Sequence, residues 1–207
     1  MSEAPGDAAV LDWAWAGAPL AGERESGDAH VVAAFAGGAL VAVLDGLGHG
    51  PEAALASRAA ARVLVAHAGE PVAALVERCH EALRPTRGAV MSVACFQEAE
   101  GAMTWVAVGN VEGILLRAAP AAARAREAIV ARGGVVGYQL PPLRPVTLPV
   151  TAGDTLVLAT DGIRSGFVAG LEVRGEPQQV ADAIFAGYAR GSDDALVLVA
   201  RYLGGSS

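Results

Sequence analysis

The chain has 207 residues, a formal net charge of −7 and 53% hydrophobic residues. All 15 basic residues are Arg, which excludes a P-loop lysine and Schiff-base chemistry, and the acidic balance leaves no basic stripe for nucleic acid. The length suits one well-cored domain, so residues 1–207 are read as a single domain with residues 1–9 as a loose leader.

In chain order, Val10 to Ala16 alternates as a first strand, and residues 18–27 form a Gly/Glu/Ser loop. Val31–Phe35 and Leu40–Leu44 read as a hairpin around Gly37-Gly38. Pro51–Ala68 predicts a helix with Pro near its start, and Pro71–Arg84 a second helix stopped by Pro85. Ala89–Gln97, Met103–Val108 and Gly113–Arg117 read as three strands of a meander. Residues 118–132 fit either a short helix or a loop, and Pro141, Pro142 and Pro145 mark extended irregular chain. Thr155–Thr160 is a strand, Pro177–Arg190 a helix and Ala195–Tyr202 a last strand. This order suggests an α+β domain with largely antiparallel sheets and helices packed on them.

The N-terminus has no basic residue and does not fit a secretory signal. The longest uncharged apolar stretch, Ala29–Leu44, is short for a membrane span and is divided by Gly37-Gly38. A cytoplasmic protein without a membrane partner is expected. Cys79 and Cys95 read as reduced core thiols. Cys79 and Arg84 have the wrong spacing and a helical setting for a cysteine-nucleophile loop. Trp13, Trp15 and Trp105 read as core or sheet-face residues, Asp12 and Asp154 as strand-edge turn residues, and Asn110 as a turn.

The most informative run is Asp45-Gly46-Leu47-Gly48-His49-Gly50. An acid at a strand end followed by glycines exposes a carboxylate and leaves backbone carbonyls free, a cradle for a hard cation. Asp28, Asp161 and Asp193-Asp194 also sit at the edges of apolar runs, and aspartates gathered from several strand ends suit a two-metal hydrolase. If Gly37-Gly38 is the hairpin loop, Ala36 pairs with Ala39 and His30 faces Asp45. Asp28 and Asp45 are then diagonal neighbours on one face, roughly 7–8 Å apart, an arrangement that depends on the parity of the turn.

Four motifs in order resemble the PPM metal-dependent serine/threonine phosphatases, in their SpoIIE-like branch. They are Ser26-Gly27-Asp28, Asp45-Gly46-x-Gly48-His49-Gly50, Thr160-Asp161-Gly162-Ile163 and Asp193-Asp194-Ala195. The short chain, the Gly-Leu-Gly-His form, Thr86–Met91 and Gly133–Gly137 look most like the stand-alone RsbX-type stressosome phosphatases. The resemblance implies an α-β-β-α sandwich with two divalent ions, Mn or Mg. Asp45 would bridge both, the Gly46 carbonyl and Asp28 would serve the second, and Asp161 and Asp193 the first. A metal-activated water would attack phosphoserine or phosphothreonine of STAS-type stress-signalling proteins without a phospho-enzyme, and the protein would be a monomer.

Leu47 stands where eukaryotic relatives place the His proposed to protonate the leaving group, so that step falls to His49 or to metal-bound water. The family's phosphate-binding Arg has no match, Arg24 being out of step with Asp28. Leu196 follows the closing motif where Thr or Ser is common, and Asp193 rather than Asp194 is taken as the ligand. Three alternatives are a SpoIIE/RsbU-like phosphatase of an anti-sigma-factor antagonist, a catalytically weak phosphoprotein-binding module and an unrelated metal-binding domain.

Overall fold

The computed structural model describes residues 10–119, 125–171, 173 and 175–205. The expected leader, residues 1–9, lies outside the described residues. So does part of segment 118–132.

Ten strands form two five-stranded sheets among the described residues. One sheet has the order β2 (Asp28–Phe35), β3 (Gly38–Gly46), β4 (Ala89–Gln97), β5 (Ala102–Val108) and β8 (Val146–Pro149). The other runs β1 (Leu11–Ala18), β10 (Ala195–Tyr202), β9 (Thr155–Ala159), β6 (Glu112–Leu116) and β7 (Arg126–Glu127). Every named pairing is antiparallel.

The alternation of each central strand decides the layering. Leu40, Ala42 and Leu44 of β3 pack with α1 (Gly50–Ala66) and α2 (Val72–Leu83), while Ala39, Val41 and Val43 enter the layer between the sheets. In β10, Leu196, Leu198 and Ala200 enter that same layer. Its alternate residues Val197 and Val199 pack with α3 (Phe167–Gly170) and α4 (Pro177–Tyr188). Both central strands are therefore apolar on both faces, and helices cover each outer surface. The result is the expected α-β-β-α sandwich. Each fully buried Leu or Val contributes roughly 1.5–3 kcal/mol through burial. Trp105 fills the inter-sheet layer, its indole N–H donating to Ser92 Oγ at 2.8 Å. Cys79 and Cys95 are free buried thiols, and burial pushes both upward, to about 12 and about 11.

The hairpin register differs from the expectation. Phe35 pairs with Gly38 and Ala34 with Ala39, so Ala36-Gly37 is the loop. Gly37 takes the left-handed conformation (φ 89°). Gly38 is a strand residue, where a Cβ would lie 2.0 Å from the Phe96 carbonyl oxygen. Its glycine is needed for close strand approach, not for turning. The slip is two residues, so facing is preserved. Asp28 lies directly opposite Asp45, and His30 opposite Val43.

Three short elements were not expected: β7, β8 and α3. Proline-rich chain leads into β8, an edge strand that tolerates Pro149. Helix α4 begins with a capping box in which Glu176 and Gln179 cap reciprocally.

Candidate active site

The antiparallel order brings four chain segments to one end of the inter-sheet layer. Asp28 opens β2, Asp45 nearly ends β3, Asp161 follows β9, and Asp193-Asp194 precede β10. Asp45 has the parity of Val41 and Val43, so its carboxylate belongs to the face between the sheets.

Glycines allow the close approach. A Cβ on Gly46 would lie 2.1 Å from the Ala53 carbonyl oxygen of α1, and one on Gly162 1.9 Å from the Asp194 carbonyl oxygen. The Gly46 N–H donates to Gly27 O at 3.1 Å, and the Leu47 N–H to Gly88 O at 3.1 Å. These bonds tie the β3 exit to both neighbouring loops.

Thr160 links the two sheets. Its hydroxyl donates to Asp28 Oδ2 at 2.7 Å and accepts from the Leu196 N–H at 2.9 Å. Asp161 Oδ2 accepts from the Asn110 amide at 2.7 Å, which assigns Asn110 a side-chain role beyond that of a turn residue. Asp193 Oδ1 accepts from the Asp194 N–H at 2.9 Å. Asp194 is buried, and its two oxygens accept from the N–H groups of Leu20 and Gly27, each at 2.7 Å. It pins the 20–27 loop.

No basic side chain forms an ion pair with these five carboxylates among the described residues. Burial pushes Asp28 up to about 8, and the charge of Asp45 adds to the rise. The Thr160 hydrogen bond opposes it, and Asp194 and Asp161 raise it further. Burial likewise pushes Asp45 up to about 7, with Asp161, Asp193 and Asp194 contributing. Among the described residues no three His, Cys, Asp or Glu side chains stand as a ready-made ion cage. The arrangement is an uncompensated acidic cluster. Its all-oxygen donors and excess negative charge fit hard divalent cations such as Mg or Mn, which would relieve the repulsion.

His49 occupies the N-cap position of α1, but its side chain makes no cap bond. Its Nδ1 lies 2.8 Å from Glu23 Oε1, and the side chain is half-exposed. His30 lines the same end without reaching the acids through a hydrogen bond. Its ring lies 4.7 Å from that of Trp15, and burial holds it down at about 4, hence neutral near pH 7. Arg87 stands over the glycine loop. A Cβ on Gly48 would lie 2.9 Å from Arg87 Nη1, and the guanidinium pairs with Glu52 in the first turn of α1. Asn110, Thr160 and Arg87 were not recognised from sequence as site side chains. Counting strand ends could have found Asn110 and Arg87, since the first follows β5 and the second precedes β4 at the Gly46 end.

Two antiparallel sheets between helix layers, with acids gathered at one end of the inter-sheet space, define the fold of the PPM, or PP2C-type, phosphatase domains. The chain belongs to the stage II sporulation protein E (SpoIIE) family, whose sequence profile matches residues 36–203. The phosphoserine phosphatase RsbX of Bacillus subtilis (strain 168) is 37% identical over 76 residues, 37% of this chain and 38% of that relative. The match thus spans little more than a third of the curated relative's length. A solved structure described with the bacterial stressosome, as a modular system adapted to control secondary messenger signalling, is 30% identical. It has a TM-score of 0.83 over 92% of this chain and 99% of its own. RsbX in complex with magnesium shares the fold at 22% identity, with a TM-score of 0.82 over 92% of this chain and 94% of its own. No helix among the described residues is long and apolar enough to cross a membrane.

Proposed function

We propose that this protein is a divalent-metal-dependent phosphatase of phosphoserine or phosphothreonine in proteins, acting in the cytoplasm as a monomer. Its substrates on this reading are phosphorylated STAS-domain regulators of a stressosome. The observation that carries the reading is the uncompensated cluster of Asp28, Asp45, Asp161 and Asp193 at one end of the sandwich. The likeness to RsbX and to a stressosome-associated structure supports the substrate class.

Asp28, Asp45, the Gly46 carbonyl, Asp161 and Asp193 would hold two ions, Mn or Mg. When bound, such ions supply a water of lowered pKa as nucleophile and neutralise charge on the phosphoryl group. The chain's own residues prepare the site. Thr160 donates to Asp28 and so favours its ionised, ligating form. Asn110 orients Asp161 as an outer-shell partner. Arg87, once released from Glu52, can donate to phosphate oxygens beside the Gly48 loop. Glu23 engages His49 Nδ1 and leaves Nε2 as the atom that can pass a proton to the departing oxygen.

The test is hydrolysis of a small aryl phosphate with Mn, with Mg and with chelator, alongside Asp45→Asn. Metal-dependent turnover that disappears in the variant is expected. Full activity of folded Asp45→Asn would remove Asp45 from the site. Absence of turnover with every metal would remove the enzyme reading.

A further inference from the structure

The edge strands β1 and β2 lie on the same side of the sandwich, and a cleft opens between them at the acidic end. Its volume is about 280 Å³, and its walls include Trp15, Ala18, Pro19, His30, Leu196 and Asp28. Among the described residues Asp28 is its one charged wall residue, and Asp28 also belongs to the acidic cluster. The cleft and the catalytic end are therefore continuous.

Trp13 and Trp15 share the parity of Leu11, whose partner Tyr202 lies in the inter-sheet core. They point toward the space between the sheets, yet remain 41% and 43% exposed. Both pack against His30 in tilted ring contacts, at 5.8 Å and 4.7 Å between ring centroids. The seal of the sandwich edge thus leaves the indole of Trp15 facing the cleft. The far wall is set by Asp194, whose carboxylate holds the Leu20 and Gly27 backbone and with it the loop carrying Pro19 and Ser26. The cleft is smaller than the usual range for drug-sized ligands, about 300–1,000 Å³, and among the described residues its walls carry no basic side chain for an acidic group. Its size and lining suit one uncharged side chain.

We propose that this cleft receives an apolar side chain flanking the phosphorylated residue of a polypeptide substrate, with Trp15 and His30 as its specificity-determining wall. This rests on the phosphatase reading, because a phosphoryl group held at the acids brings its neighbours along the chain to the Asp28 side of the cleft. Phosphopeptides with Leu beside the phosphoserine should then be preferred over those with Asp there. An Asp carboxylate would lose its hydration in a cleft whose described walls offer no basic side chain, whereas an apolar side chain gains aromatic packing.

The experiment uses the full chain with Mn or Mg and three substrates: a small aryl phosphate and two phosphoserine peptides that differ only in Leu or Asp at the flanking positions. The ratio of kcat/KM for the Leu peptide over the Asp peptide is expected to exceed about tenfold. Trp15→Ala removes one wall, and Ala18→Phe fills the cleft from an exposed position, so a folding failure of the first leaves the second as a test. In both the ratio should collapse toward one. A wild-type ratio near one, with all three substrates hydrolysed, overturns the cleft assignment alone, as does a ratio that survives both substitutions. Failure to hydrolyse even the aryl phosphate overturns the phosphatase reading and the assignment together.

Discussion

A buried acid and a partly buried acidic cluster in this molecule are treated in opposite ways. Asp154 is 1% exposed, and Arg117 binds it at 2.7 Å while also pairing with Glu127. The N–H groups of Ala118 and Thr151 donate to Asp154 as well. That acid is fully partnered and joins the start of β9 to the end of β6. Asp28 and Asp45 are partly withdrawn from water, but their charged neighbours are other carboxylates, and both are pushed up toward neutrality. Folding alone gives no reason to gather like charges. A structural acid is neutralised by the chain itself, whereas a functional cluster leaves its charge for a ligand.

The sharpest way to break this contrast is to exchange the consequences of mutation. Asp45→Asn should lower metal-dependent turnover by about a thousandfold or more. Its metal-free thermal stability should be equal or higher, because a repelling charge is gone. Arg117→Ala should do the reverse. It strands Asp154 and Glu127 and should cost about 3–5 kcal/mol in denaturant unfolding, while the folded fraction retains its turnover. Loss of stability in Asp45→Asn comparable to that in Arg117→Ala would erase the distinction.

The pH dependence sharpens it further. Asp28 and Asp45 rise from 3.8 to about 8 and about 7 on folding. Between pH 4 and 8 the folded state therefore holds protons that the unfolded state has released, so metal-free stability should fall as pH rises through that window. Millimolar Mg or Mn should flatten the fall, and the gain from metal should be largest at the alkaline end. Thermal melts across pH, with metal and with chelator, read this directly. Metal-free stability that increases from pH 5 to 8 would contradict the cluster.

Smaller effects belong to the supporting residues. Asp194→Ala leaves the Leu20 and Gly27 N–H groups without their acceptor and should cost about 1–3 kcal/mol, loosening the loop before Asp28. Thr160→Val removes the hydrogen bond that favours ionised Asp28. It should weaken apparent metal affinity about 10–100-fold and move the acidic limb of the activity profile to higher pH. An unchanged limb would mean that Thr160 serves only the β9–β10 junction.

Much of the fold was legible because its central strands are long apolar runs and its main helices have clear starts and stops. The runs in β3, β4 and β10 are apolar on both faces, as strands of sheets covered on both sides must be. The loop lies one residue earlier than expected, and the register slips by two, because Gly37 and Gly38 look alike in sequence. Only the approach of Phe96 separates a turning glycine from a packing one. Parity survived the slip, which is why Asp28 and Asp45 were still assigned to one face. Elements β7, β8 and α3 are too short to carry a periodic signal. In sequence Asn110 reads as a turn residue, because its partner Asp161 is 51 positions away.

By itself the sequence determined the acids at the strand ends, the glycines beside them and the two-faced apolar strands, since these depend on local chemistry and a period of two. Tertiary structure alone decided which acids face each other, that Arg117 is spent on Asp154 while the cluster keeps its charge, and that Trp15 lines a cleft beside Asp28. Those outcomes come from contacts between segments far apart along the chain, and no local pattern records which distant group will arrive.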